Sequence, residues 1–127
     1  MSAEQDPVAI ADNGDRTLSV TGYDQDSFGA RFWDDVSAPA ARAQAWDRLT
    51  AQSVGAFITP TTAAAWQGRT STYLVCTEDR STSLALQRAH AARATQSVEL
   101  PTSHHPFLSR PDLVADQVQK ILDGMQR

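Results

Sequence analysis

The sequence predicts an α/β architecture, and three stretches carry that expectation. Thr72 to Asp79 (TYLVCTED) holds an apolar run, Tyr73, Leu74 and Val75, that stops at two carboxylates, Glu78 and Asp79. A short run of this kind is the mark of a strand buried on both faces of a parallel sheet. Thr82 to Ala94 contains no Gly or Pro and is rich in Ala, Leu, Gln and Arg, all good helix formers. Ser97 to Leu100 reads as a second short strand, ended by Pro101. A strand–helix–strand unit of this length joins two parallel strands through a right-handed crossover.

Ligands of open parallel sheets gather at the carboxyl ends of the strands. Asp79 and His104 each lie just past such an end, so two adjacent strands bring an acid and an imidazole together. A carboxylate that accepts a bond from one ring nitrogen sets the tautomer and raises the basicity of the other. The second nitrogen can then take a proton from a hydroxyl nucleophile. Each residue has a rival beside it, Glu78 for Asp79 and His105 for His104. Neighbours in extended chain point opposite ways, so one of each pair faces the partner. Cys76 is a candidate nucleophile, but its place inside the strand suits a small buried side chain. Zinc held by His104, His105 and Asp79 is a further alternative; it requires adjacent histidines to converge.

Tyr73-Leu-Val-Cys-Thr-Glu-Asp79, a helix carrying Gln87, and Ser103-His104-His-Pro106-Phe-Leu-Ser-Arg-Pro111 together resemble the C-terminal end of an α/β-hydrolase. The small esterases of the plant methylesterase and hydroxynitrile lyase group are the nearest in pattern. The resemblance covers Ser71–Leu122, and more loosely Phe32–Trp66, where that family carries its lid helices. It implies a partial α/β-hydrolase fold: a helical lid-like segment plus the last two parallel strands and their helices. It implies residues 1–70 as an N-terminal hairpin and lid-like segment, and residues 71–127 as the part carrying acid and histidine. The triad order in that fold is Ser, acid, His, which puts Asp79 at the acid position and His104 at the histidine position. The match to Ser-His-x-Pro favours His104 over His105. The implied reaction is hydrolysis of a carboxylic ester through an acyl-enzyme, with no cofactor and no metal.

The family's serine sits in a Gly-x-Ser-x-Gly elbow well before the acid. None of Gly14, Gly22, Gly29, Gly55, Gly68 and Gly124 is followed two residues later by Ser, and the chain has no His-Gly pair for an oxyanion loop. The expectation is a second half of a hydrolase, inactive as an isolated chain. It would act on a small ester once complemented by an N-terminal half, or else self-associate through an exposed strand edge. The alternative is a non-catalytic relic or a partner-binding module.

Taken in order, Met1–Asp6 is polar and expected to fray. Val8–Ala11 and Thr17–Val20 flank Asp12-Asn-Gly-Asp15, the pattern of a small hairpin with a loop longer than the tightest turn. Asp12, Asn13 and Asp15 also allow a metal loop, without the remaining spacing of a calcium motif. Tyr23–Thr59 reads as helical in pieces. Phe28, Phe32 and Trp33 recur near helical spacing, Asp34-Asp35 ends that piece, and Ser37 or Pro39 starts an amphipathic helix over Ala40–Gln52. These aromatic residues either pack as ordinary core or, by the resemblance, belong to a lid and line an acyl or alcohol pocket. Trp66 is expected to pack under the strand that follows it, and His90 to lie on the surface. Ser109-Arg-Pro-Asp112 reads as a capping box with Pro in the first turn. Leu113, Val114, Val118, Ile121, Leu122 and Met125 then form an apolar stripe expected to cover one face of the sheet. Lys120 and Arg127 suit the negative end of that helix dipole.

Composition narrows the function classes. At 127 residues one domain is the default. A formal charge of −4 opposes nucleic-acid binding through an overall basic surface. The single cysteine excludes an internal disulfide. No stretch approaches the roughly 18 apolar residues of a membrane helix. The N-terminus has neither the basic region nor the apolar core of a secretory signal, so the cytoplasm is the expected location.

Overall fold

The computed structural model describes residues 6–125. The fraying expected of the first residues and the dipole role of Arg127 lie outside the described residues or at their margin. The element order is β1 (Ile10–Asp12), β2 (Thr17–Val20), α1 (Gln25–Phe32), α2 (Pro39–Asp47), β3 (Gln52–Ser53), α3 (Val54–Ile58), β4 (Thr72–Cys76), α4 (Leu84–Ala91), β5 (Gln96–Leu100), α5 (Pro106–Ser109) and α6 (Pro111–Met125).

Strands β1 and β2 form the expected hairpin, with Ile10 opposite Val20 and Asp12 opposite Leu18. The acidic loop is held by its own side chains: Asp12 Oδ1 accepts from the Gly14 amide at 2.8 Å and Asp15 Oδ1 from the Thr17 amide at 3.0 Å. Gly14 sits at φ 78°, a left-handed conformation glycine adopts freely. The helix expected over Ala40–Gln52 ends earlier, at Asp47. Gln52 instead pairs with Leu18, and Ser53 with Thr17, as a third strand on the hairpin. Competition from these cross-strand bonds ends the helical pattern that the sequence carried through Leu49 and Ala51.

Helix α1 begins at a capping box: Asp24 accepts from the Ser27 amide at 2.8 Å, and the Ser27 hydroxyl accepts from the Asp24 amide at 3.0 Å. Its apolar face supplies a core of Phe28, Phe32 and Trp33 with Val36 from the following turn, packed against Val8, Tyr23, Ala45 and Trp46. Phe28 and Phe32 stack with ring centroids 4.2 Å apart, and Trp46 of α2 meets Phe28 edge-on at 5.6 Å. These aromatic rings are therefore mainly packing. Trp33 also borders a groove of about 590 Å³ between α2 and α5, with His105 and Phe107 on its other side.

Strands β4 and β5 pair in parallel, Thr72 with Gln96 through Cys76 with Leu100. Val75, Cys76, Leu100 and Ala91 of α4 are buried. Helix α4 is shorter than the span read from the sequence. Ser83 caps it by accepting from the Leu86 amide, which leaves Ser81 and Thr82 to the acidic turn. Trp66 is 45% exposed and does not pack under β4. It borders a hollow with Tyr73 and His90.

The expected capping box at Ser109–Asp112 is not formed. Ser109 closes the short helix α5, and the Arg110 guanidinium grips the Asp112 carboxylate at 3.0 and 2.8 Å. Helix α6 does start at Pro111, but among its described residues none is buried; Val118, Ile121 and Leu122 are 41–50% exposed. Its apolar stripe covers no face of the β4–β5 sheet. No helix among the described residues is long and apolar enough to cross a membrane.

Candidate functional site

The parallel ladder runs on past the strand ends. Thr77 N–H donates to the Leu100 carbonyl at 2.9 Å and Glu78 N–H to the Thr102 carbonyl at 3.1 Å. Each bond keeps the acid loop beside the histidine loop for one further residue. Asp79 follows directly on one side, and Ser103 and His104 on the other.

His104 Nδ1 lies 2.8 Å from Asp79 Oδ2. The carboxylate accepts, so Nδ1 carries the proton in the neutral ring and Nε2 keeps its lone pair. The Asp79 side chain is 3% exposed and that of His104 32%, so the acid is sealed in while the imidazole remains reachable. Asp79 Oδ1 accepts from the amides of Ser81 at 2.7 Å and Thr82 at 2.9 Å. Burying a carboxylate is expensive unless donors surround it, and these amides supply them. Glu78, the rival acid, is exposed and donates only its backbone to this region.

Gln87 is the polar residue that sequence reasoning noted without assigning a role. It is 3% exposed. Its Oε1 accepts from the Cys76 amide at 2.8 Å, and its Nε2 donates to the Cys76 carbonyl at 2.9 Å and the Thr82 carbonyl at 3.0 Å, with Asp79 Oδ2 at 3.3 Å. One side chain thus joins the end of β4, the acidic turn and the acid itself. The available signal was a polar residue in a helix between the inward-facing Leu84 and Ala91.

His105 is a packing residue. Its Nδ1–H donates to the Phe32 carbonyl at 3.1 Å, and its ring meets Trp33 and Phe107 edge-on at 5.6 and 5.3 Å. Burial lowers its pKa, the Phe32 bond opposes that, and neighbouring His104 lowers it further. A ring so placed stays neutral near pH 7. His104 and His105 therefore do not converge, and no group of three or more potential metal ligands occurs among the described residues. Burial raises the Cys76 thiol pKa, against a weaker lowering effect of Thr102, and the Asp79 and Asp35 charges raise it further. That is the reverse of what a thiolate nucleophile needs.

His104, Asp79 and Cys76 border a hollow of about 240 Å³ together with Tyr73, Leu74 and Phe107. An imidazole with a fixed tautomer, backed by a buried acid and open to a small apolar hollow, can accept and return a proton. His90 lies exposed on α4, away from this site.

The family model described as the alpha/beta hydrolase family matches residues 3–117. A crystal structure of the pyrethroid hydrolase PytH with BIF superposes with a TM-score of 0.69 at 22% identity over 94% of this chain. A structure of a serine-to-alanine variant of PytH gives 0.68 at 22% identity over 91% of this chain. The chain spans about half of those structures, 48% and 46% of their lengths. No curated protein matches it significantly. The two-stranded parallel sheet with its helices is accordingly a partial α/β-hydrolase fold, and with a family match extending over residues 3–117 the chain belongs to the alpha/beta hydrolase family.

Proposed function

We propose that this chain contributes the acid and the histidine of a Ser–Asp–His triad that hydrolyses a carboxylic ester. The observation that carries the reading is the 2.8 Å contact between His104 Nδ1 and the buried Asp79 carboxylate. Asp79 holds the ring in the Nδ1–H tautomer and stabilises the imidazolium. His104 Nε2 takes the proton of a serine hydroxyl as the oxygen attacks the ester carbonyl. It returns that proton to the departing alcohol, then activates the water that releases the acid. The serine and the oxyanion donors come from a segment outside these 127 residues, because no Gly-x-Ser-x-Gly elbow occurs within them.

Two surfaces favour the related reading of a chain that binds a partner. Among the described residues β4 pairs only with β5. In a parallel ladder alternate residues face opposite neighbours. Thr77 faces β5, so Thr72, Leu74 and Cys76 face the open side. Gln87 satisfies Cys76 there, which leaves Thr72 and Leu74 as the pairing edge. Helix α6 adds an exposed apolar stripe. An N-terminal hydrolase segment is the occupant that would make the edge interior and complete the triad.

The test uses p-nitrophenyl esters with the chain alone and with the segment encoded immediately upstream. Alone, no triad-level turnover is expected. With a complementing segment, turnover should fall about 10³-fold or more in His104→Ala and by up to about 10⁴-fold in Asp79→Asn. Complemented turnover that survives His104→Ala overturns the reading. So does turnover by the isolated chain that disappears in Cys76→Ala.

A further inference from the structure

The turn between α1 and α2 carries two adjacent acids, and each reaches a different loop of the site. Asp34 Oδ2 lies 3.0 Å from the Arg80 guanidinium, one residue after Asp79. Arg80 also donates to the Ala30 carbonyl at 3.3 Å. Asp35 points the other way. Its Oδ2 accepts from the Ser103 amide at 3.0 Å and its Oδ1 from the Ser103 hydroxyl, one residue before His104. That hydroxyl also lies 3.3 Å from the Phe32 carbonyl.

The turn itself is stiff. Arg42 of α2 donates to the carbonyls of Val36 at 2.5 Å and Asp34 at 2.8 Å, and Val36 N–H donates to Trp33 O at 3.0 Å. Trp33 and Val36 are core residues, 2% and 7% exposed. On the far side Ser103 is fully buried. The contact therefore joins a rigid turn to a buried residue, without long flexible side chains between them. The Arg80–Asp34 pair differs: the Arg80 side chain is 62% exposed, and such pairs contribute little.

We propose that Asp35 is a positioning residue for His104, its carboxylate locking the histidine loop through Ser103 to the α1–α2 turn. Asp34 ties the same turn weakly to the acid loop. This deepens the proposed triad and rests on it. Ser103 is covalently next to His104, so any slack in the Ser103 backbone moves the imidazole relative to Asp79. A bond of 2.8 Å tolerates little such movement before it weakens. The Asp35 carboxylate suits the role. Burial raises its pKa, but the Ser103 hydroxyl and amide outweigh this and keep it ionised. Ser109 approaches closely enough to add to that effect without meeting hydrogen-bond geometry.

Proton NMR of the intact chain, with nitrogen-15 in the histidine rings, tests the proposal. Wild type should show the His104 Nδ1–H tautomer and a protected, downfield Nδ1 proton. In Asp35→Ala that proton should exchange about tenfold faster or more, as expected when charge-assisted bonds to the buried Ser103 are lost. Asp34→Ala should leave exchange within about twofold, as befits a pair whose arginine is mostly exposed. Asp35→Asn should retain most of the protection. Its Oδ1 can accept from the Ser103 amide, and its NH₂ can donate to the hydroxyl.

A folded Asp35→Ala chain with wild-type His104 exchange overturns the proposal. If Asp35→Ala fails to fold, Asp35→Ser decides, because its shorter side chain cannot span to Ser103: faster exchange supports the lock, and unchanged exchange overturns it. A wild-type chain that lacks the Nδ1–H signature overturns the triad reading and the lock together. A signature present in wild type but indifferent to the Asp35 substitutions overturns the lock alone.

Discussion

Replacing Gln87 with leucine should unfold the β4–α4 unit more easily than its position on a helix suggests. The two side chains are close in volume, so packing changes little and lost hydrogen bonding dominates. The Cys76 amide loses its partner, 2.8 Å away, while the Cys76 carbonyl loses the 2.9 Å bond and keeps the longer one from the Asp79 amide at 3.4 Å. Cys76 is 7% exposed, so water has little access. An unpaired buried backbone group costs about 1–3 kcal/mol. The Thr82 carbonyl, on a half-buried residue, can turn to solvent and adds little. The unpaired amide then gives about 1–3 kcal/mol, set against a typical total stability of about 5–15 kcal/mol. At about 4 °C per kcal/mol for a domain of this size, Tm should fall by about 4–12 °C. Thermal and urea unfolding followed by far-UV circular dichroism and Trp fluorescence measure this. Gln87→Glu is the control. At neutral pH it keeps an acceptor for the Cys76 amide but faces the Cys76 carbonyl without a donor and adds charge beside Asp79. Its deficit should exceed that of leucine and shrink as the new carboxyl protonates. A leucine variant within about 0.5 kcal/mol of wild type, the usual range for surface changes, would refute the argument that Gln87 closes the end of β4.

Two further outcomes follow from the same contacts. The open side of β4 presents Thr72 and Leu74 without a gatekeeping charge before Glu78, an edge that invites pairing; sedimentation at micromolar concentration should show self-association or pairing with a complementing segment, and a stable monomer would mean the edge is closed. The second outcome is pH dependence. Burial lowers the folded pKa of His105 below its unfolded value of about 6.5; between the two values the unfolded chain binds more protons, so stability rises with pH and is lost as pH falls. His105→Gln should flatten the unfolding midpoint across that window, and an unchanged slope would mean that the Phe32 carbonyl bond offsets burial and leaves no net shift.

The sequence by itself determined which residues could form the central unit and which chemistry they carry. A short apolar run ending at Glu78-Asp79, a helix free of Gly and Pro, and a second strand before Ser103-His104 reach parallel pairing by local propensity and the crossover rule. Adjacency of the two strands then brings Asp79 to His104. The sequence offered both Glu78 and Asp79 as the acid; the turn that follows Cys76, rather than strand alternation, left Glu78 exposed and turned Asp79 to His104. Only the tertiary structure decided what holds that pair in place. Asp35 and Ser103 are 68 positions apart, and no periodicity links them; their contact exists because the α1–α2 turn packs against the histidine loop. Gln87 became a backbone partner only when α4 folded over the end of β4. Gln52 left the helical pattern because Leu18 offered it a strand, and Ser109 left its expected cap because Pro106 had already started a helix of its own. Local signals rank what a segment prefers when alone; contacts between distant segments choose among those preferences, because each buried polar group must find its partner wherever the fold supplies one.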